Sequence, residues 1–352
     1  ILSMRINNRY KGYKVSLQCS SAMQFASVFS VCGALRSGAP AALVRRRQGL
    51  QRGAHRALAD QLVRDGRYPW MPDLPTIPGI EMSGTVAAVG DGVTWHCEGD
   101  SVVVSAVRER GCYAEYLAID ANWAFPCPDG LDLAAAGCLM NYRVAYRILH
   151  SGARVQAGET IAIVGAAGGL GSALLDISNV AELETIALVR SPEKVAFVRE
   201  RGARHVIDTT AGDQYEAIME ITGGRGVDHF IAPVGGGDFV GHLDLLAIHG
   251  TLVLYGMIEG LPKDDVFAAQ TQRWARCPAV RVFSIHSFDQ KAAAAGQDME
   301  LLMGMMAEGR IEPTIYAEMP LDTAAEAHRH LDESRIMGKL LLQPHRDTTQ
   351  FR

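Results

Sequence analysis

From Thr160 onward the sequence alternates short apolar runs with helical stretches, and this rhythm restricts the possible folds more than any other feature of the chain. TIAIVG (160–165) reads as a buried strand, Gly169 to Ala181 as a helix, TIALV (185–189) as a second strand, and Pro192 to Arg201 as a helix opened by proline. HVID (205–208), Asp213 to Ile221, VDHFIAPV (227–234), Phe239 to Ile248 and GTLVLYG (250–256) continue the pattern. Consecutive strands joined by helices need right-handed crossovers, so this half of the chain is expected to form an α/β domain around a doubly wound parallel sheet.

The stretch from Ser83 to Phe125 follows a different rule. GTVAAVG, DSVVV and YAEYLAI are short β-rich runs separated by Gly and Asp turns. There is no room between them for crossover helices, so a small antiparallel barrel is expected. The C-terminal stretch IYAEMPLDTAAEAHRHLDESRIMGKLLLQP reads as a strand, a helix opening near Asp322 and a last strand at Lys339 to Leu342, elements able to return to the first domain.

Composition narrows the class of protein. At 48% hydrophobic and 21% charged residues the chain has material for two buried cores. Its longest apolar runs are interrupted by glycine and fall short of the ~20 residues that a membrane span requires. Cysteines 19, 32, 97, 112, 127, 138 and 277 form no CxxC pair or Cys/His cluster, as expected of reduced thiols in a cytosol-like compartment. The net charge of -5 is unevenly spread: residues 1–59 hold ten basic and no acidic side chains, and the other 293 hold 24 basic and all 39 acidic ones.

IAIVGAAGGLGSALL sets Gly165, Gly168, Gly169, Leu170 and Gly171 between a strand and a helix. Glycines there let the backbone approach a pyrophosphate, and the helix N-terminus offers it N–H groups and positive partial charge. The next strand ends in Arg190, Ser191 and Lys194, where an acid would grip an adenosine 2′-hydroxyl. Two cations and a hydroxyl suit a 2′-phosphate, so NADP(H) is expected in place of NAD(H). Glu193 dissents, although at a helix start it also complements the dipole.

GIEMSGTVAAVGDGVTWHCEGDSVV, GCYAEYLAI, NYRVAYRIL, VGAAGGLGSA, VRSPEKVAFVRERGARHVID, GVDHFIAPVGG, GTLVLYG and AHRHLDESRIMGKLLLQP follow one another in this order. From Gln61 to Pro344 the chain resembles the medium-chain dehydrogenase/reductase superfamily, and within it the zinc-independent branch of NADPH:quinone oxidoreductases and enoyl reductases. The resemblance implies a Rossmann domain over residues 146–309 and a GroES-like, partly open β-barrel over 61–145 and 310–352. It also implies an active cleft between them, a quinone or enone substrate, and a homodimer or other homo-oligomer. On this resemblance Asn141 and Tyr142 lie near the nicotinamide, Ser191 and Lys194 grip the 2′-phosphate, and Gly256 turns beside the cofactor. Gly338 and Lys339 open the last strand near the cleft, and Tyr68 lines the substrate pocket as wall or proton donor.

Departures from the pattern are specific. Thr209 stands where the family commonly has tyrosine, Ala232 replaces an aspartate, and Glu182 replaces the glycine that usually ends the first helix. Residues 1–60 match none of the family's opening elements. A misjoined translation, a mitochondrial targeting segment and a nucleic-acid-binding arm are the readings of that stretch, the last without any aromatic platform beside its arginines. A cytoplasmic enzyme is expected, or a mitochondrial one if the leader is genuine, with no nucleic-acid or membrane partner.

Metal is expected to play no part. Zinc-dependent relatives place a histidine between glycine and glutamate, whereas Gly79-Ile80-Glu81 puts a hydrocarbon there, and no four-cysteine loop follows Val104. Quinones and enones accept hydride at an electron-poor carbon and need less Lewis-acid help. The competing expectation is a catalytically impaired NADP(H)-binding or structural protein on the same scaffold.

Overall fold

The runs that alternate in the sequence emerge as two kinds of sheet in the computed structural model, which describes residues 6–10, 13–17, 41–45, 54–55, 58–106, 110–237 and 239–343. Most of the basic leader lies outside the described residues, as do Cys19, Cys32 and Pro344. The chain packs as two compact units. One comprises residues 1–138, 317–334 and 340–352, the other residues 139–316 and 335–339. These divisions differ from the expected breaks after 145 and 309: the helix carrying Asn141 and Tyr142 goes with the second unit, as does the segment 310–316.

The first unit is antiparallel. β1 (Ile6–Tyr10) and β2 (Tyr13–Leu17) pair with each other in a two-stranded sheet. A larger sheet contains β3 (Ala41–Arg45), β4 (Ala54–His55), β5 (Glu81–Val89), β6 (Ser101–Ser105), β7 (Tyr116–Asp120) and β8 (Ala124–Pro126). Helix α1 (Leu58–Arg64) lies between β4 and β5 in the chain. Val102, Val103 and Val104 are all fully buried, so both faces of β6 are covered. Two strands from within the first 60 residues take places in this sheet: β3 lies between β5 and β7, with Ala42 and Val44 fully buried.

The second unit is the α/β domain. Its strands are β9 (Thr160–Val164), β10 (Glu184–Val189), β11 (His205–Asp208), β12 (Val227–Ala232), β13 (Leu246–Leu254) and β14 (Ala279–Val282). All pair in parallel in the order β11-β10-β9-β12-β13-β14. The helices are α2 (Leu139–Arg147), α3 (Gly169–Val180), α4 (Pro192–Glu200), α5 (Gln214–Ile221), α6 (Val266–Gln272) and α7 (Ala292–Ala307). β9 is central because its Ile161, Ala162 and Ile163 are wholly apolar and fully buried. The chain winds outward from β9 through β10 to β11, then restarts on its other side at β12. The loop after β9 therefore stands at a topological switch point, the place where open α/β sheets bind ligands.

β15 (Ile315–Pro320), α8 (Ala324–Asp332) and β16 (Lys339–Gln343) complete the chain, and β16 joins the antiparallel sheet next to β4.

One expectation fails. Phe239 to Ile248 is no α-helix: Val240–Leu245 is a 3-10 turn and β13 has already begun at Leu246. LDLLAI is a short apolar run whose periodicity suits a buried strand as well as a helix. Glu182 takes the left-handed conformation (φ 57°) where the glycine was missed, a strain of about 1 kcal/mol that the turn overrides. Among the described residues no helix is long and apolar enough to cross a membrane.

Candidate functional site

The glycine loop is shaped by contacts that admit no side chain. After β9 the backbone turns at Gly165 (φ 70°), and Gly168 then caps α3 in an extended conformation. A Cβ on Gly171 would stand 2.1 Å from the Gly165 carbonyl oxygen and 2.7 Å from the Ala166 Cα. The first turn of α3 is thus pressed against its own approach loop, and the leading N–H groups, those of Gly169, Leu170 and Gly171 among them, have no intrahelical acceptors. This is the ordinary anion-binding end of a helix.

Distant chain segments converge on it. Gly168 and Gly338 form a parallel bridge, and the Gly338 N–H donates to the Ala167 carbonyl at 2.9 Å. Gly338 (φ 83°) must be glycine, since a Cβ would lie 2.5 Å from the Thr314 carbonyl oxygen. The next residue, Lys339, is buried and donates its backbone N–H to that same oxygen at 2.9 Å. The Lys339 Cδ and the Asn141 Nδ2 lie 2.7 and 2.8 Å from the position a Gly169 Cβ would occupy. Asn141, Gly169 and Lys339, spread over nearly two hundred residues, thereby meet at one spot. Gly256, just beyond β13, packs so closely on Pro233 that a Cβ would come within 2.7 Å of its carbonyl oxygen.

At the end of β10, Val189 is buried and Arg190 exposed. Ser191 caps α4, its oxygen accepting from the Lys194 N–H at 3.4 Å. Burial and the neighbouring Arg190 charge hold the Lys194 ammonium below its ordinary range. Such a pair of cations gains from a bound anion. Glu193 is fully exposed, and its own N–H followed by the Ser191 hydroxyl draws its carboxyl down. Thr209 turns its hydroxyl to the Val189 carbonyl at 3.2 Å.

One expected cofactor residue is placed otherwise. Tyr142 is 2% exposed and its hydroxyl donates to the Asp176 carboxylate at 2.7 Å, so it braces α2 against α3 in place of facing a ligand. Tyrosine one position after Asn141 lies on a different side of the helix, and here that side is the core. Sequence reasoning missed the group it joins. Asp176 also accepts from Arg201 and from the Glu312 N–H at 3.4 Å, while Arg201 donates to the Thr314 hydroxyl and, at 2.7 Å, to the Glu312 carbonyl. Burial pushes the Asp176 carboxyl above its ordinary range, against the pull of Arg201, Tyr142 and Glu312. Because Thr314 carries the Lys339 backbone, this buried network fixes the platform on which Lys339 is presented.

In the antiparallel unit, Tyr68 lies edge-on to Trp70 at 5.8 Å and beneath the Arg110 guanidinium at 4.7 Å. Gly79 (φ 99°) packs against Tyr113, and Glu81 is fully buried. Among the described residues no three His, Cys, Asp or Glu side chains gather to hold a metal.

Comparison with known proteins agrees with this architecture. The family model described as "Alcohol dehydrogenase GroES-like domain" matches residues 55–129, and that described as "Zinc-binding dehydrogenase" matches residues 201–342. The human synaptic vesicle membrane protein VAT-1 homolog is 31% identical over 303 residues, covering 81% of this chain and 76% of the relative. The rat quinone oxidoreductase is 30% identical over 285 residues, covering 80% and 83%. The crystal structure of Escherichia coli quinone oxidoreductase complexed with NADPH superposes with a TM-score of 0.80 at 25% identity, covering 86% of this chain and 91% of that one. The chain belongs to the medium-chain dehydrogenase/reductase superfamily, in its quinone oxidoreductase and enoyl reductase branch.

Proposed function

We propose that the protein is an NADPH-dependent oxidoreductase that reduces a quinone or an α,β-unsaturated carbonyl without a metal ion. The observation that carries this reading is the convergence of Asn141, the α3 N-terminus and Lys339 around Gly169. It is supported by the bacterial quinone oxidoreductase whose structure was solved with NADPH.

The residues present fit a phosphorylated dinucleotide. Gly171 leaves the loop backbone bare, the α3 N-terminus would take the pyrophosphate, and the buried Lys339 side chain would lie close to it, its Cδ packed at Gly169. Arg190 and Lys194 would hold the 2′-phosphate, whose charge would relieve their mutual repulsion. Glu193 keeps its carboxylate at the exposed helix start. The bound dinucleotide supplies a hydride. Asn141 and Lys339 set its orientation, and the acceptor's own conjugation delocalises the charge that follows. Ile80 offers no metal ligand beside Glu81.

NADPH oxidation followed at 1,4-naphthoquinone as acceptor, on protein treated with a chelator, tests the reading. Turnover that survives the chelator is expected. NADPH binding without turnover on any quinone or enone would reduce the protein to a binding scaffold, and activity lost with stoichiometric zinc would overturn the metal-free chemistry.

A further inference from the structure

The edge of the parallel sheet opposite the glycine loop carries a second concavity, built entirely within the α/β unit. A cleft of about 470 Å³ lies there between the turn before β12, the start of β13 and the one-turn helix Trp274–Arg276. Gly224, Arg225, Ala247, Ile248 and Arg276 line it. Its volume is that of a small-molecule site, and its lining joins two guanidiniums to two hydrocarbon side chains.

The walls are pinned together through Leu246. Gly226 (φ 84°) presses on the chain so closely that a Cβ would stand 2.6 Å from the Leu245 carbonyl oxygen and 2.7 Å from the Leu246 carbonyl carbon. Arg276 donates through Nη2 to the Leu246 carbonyl oxygen. Beyond Leu246, β13 bulges out of register with β12: Val227 pairs with Leu246 but His229 with Thr251, and the bulge leaves Ile248 65% exposed. The residues that follow Ile248 and Arg276, His249 (φ 65°) and Cys277 (φ 49°), are both left-handed without being glycine. Such strain persists only where the surroundings impose it, and it gathers at functional sites. The cleft therefore has a fixed form before any ligand arrives.

The two cations differ in their partners. Arg225 gives Nη1 and Nη2 to the two oxygens of Asp228, at 2.7 and 3.1 Å, and is thereby neutralised. Arg273, three residues before Arg276, takes both oxygens of Asp244. Arg276 has no ion pair among the described residues, and of its three guanidinium nitrogens only Nη2 has an acceptor, its Nε being buried without one. A guanidinium left in this state gains from any further acceptor. We propose that the cleft binds an organic monocarboxylate, with the carboxylate on Arg276 and the hydrocarbon on Ala247 and Ile248. Charge decides the class: with Asp228 offsetting Arg225, one positive charge is left over, which a monoanion balances and a phosphate dianion exceeds. None of these residues belongs to the glycine loop, the Arg190–Lys194 cluster or the meeting point of Asn141 and Lys339, so the site stands apart from hydride transfer.

The test is isothermal titration calorimetry on the full chain, without and then with NADPH. Its probes are octanoate, octanamide, which keeps the hydrocarbon and lacks the charge, and acetate, which keeps the charge and lacks the hydrocarbon. Octanoate is expected to bind at least about tenfold more tightly than either, to the same extent with NADPH present. Arg276→Gln lowers octanoate affinity by at least about tenfold, and Arg276→Lys restores part of it. Ile248→Glu, which sets a carboxylate of the protein's own in the cleft, lowers it by as much. Because Ile248 is exposed, that variant keeps its fold even if loss of the Leu246 hydrogen bond unfolds Arg276→Gln. No octanoate binding, octanamide or acetate binding as tight as octanoate, displacement of octanoate by NADPH, or an affinity unchanged in the folded variants would overturn the proposal.

Discussion

Replacing Gly171 with alanine tests whether the loop after β9 owes its form to close backbone contact. The new Cβ would lie 2.1 Å from the Gly165 oxygen, 2.7 Å from the Ala166 Cα and 2.8 Å from the Gly165 carbonyl carbon. Carbon atoms rest comfortably about 3.5 Å from such neighbours, so α3 and the loop must part by roughly 1 Å. All three obstacles are backbone, and none can rotate away. Gly165 is also tied by its N–H to the Leu188 carbonyl and by its oxygen to the Gly168 N–H, both at 3.0 Å. Overpacking costs about 1–3 kcal/mol and each strained hydrogen bond about 1, against a gain of up to about 1 from removing a glycine from a helix. The net expectation is a loss of about 3 kcal/mol and a fall of at least about tenfold in NADPH affinity, because the same shift withdraws the helix N-terminus. Gly304→Ala is the control: Gly304 is exposed in α7 with nothing within 4 Å of its Cβ position, so it gains about 0.5–1 kcal/mol of stability and leaves the cofactor alone. Urea unfolding followed by tryptophan fluorescence, with a parallel NADPH titration, reads both quantities. If Gly171→Ala unfolded with the unaltered midpoint and bound NADPH as before, the contact argument would be wrong.

Other consequences follow from charged groups. Asp176→Asn leaves the partly buried Arg201 facing a neutral amide and should cost about 3 kcal/mol in thermal or urea unfolding, with weakened NADPH binding through Thr314 and Lys339. Unchanged cofactor affinity in a folded variant would show that the network does not position Lys339. Lys194 is held below its ordinary value of 10.5, so the preference for NADPH over NADH should begin to decline below pH 10.5 while Arg190 keeps part of it, and Lys194→Ser should remove this pH dependence. A preference constant up to pH 10.5 would contradict it. Burial pushes the Asp228 carboxyl up, but the Arg225 guanidinium and the Thr160 N–H outweigh it and hold it below 3.8. That stability is present above 3.8 and is lost as pH falls through the lowered value, so acid unfolding of Asp228→Asn should show a weaker pH dependence than that of the unaltered chain.

Much of the α/β half is legible in the sequence because its signals are local. IAIV is a fully apolar run closed by Gly165, Pro192 opens α4, and the loop glycines mark the switch from strand to helix. Where the local signal is equivocal the reading fails, as with LDLLAI, whose strand identity depends on pairing with β12. β3 is hidden for a similar reason: Ala41–Arg45 is a brief apolar run beside three arginines, and only its neighbours β5 and β7 make it a strand. The site divides along the same line. Glycines disclose the phosphate loop, but the Asp176 network joins residues as much as 136 positions apart, and no spacing rule announces it.

The central claim is that the glycine loop and the Arg190–Lys194 cluster together hold a 2′-phosphorylated dinucleotide. Fluorescence titration of the full chain with NADPH and, in parallel, NADH measures this most directly. The account predicts that NADPH binds at least about tenfold more tightly, as two charge-assisted contacts to one phosphate imply. Equal affinity for the two would contradict the assignment of Arg190 and Lys194, and binding of neither would contradict the assignment of the loop itself.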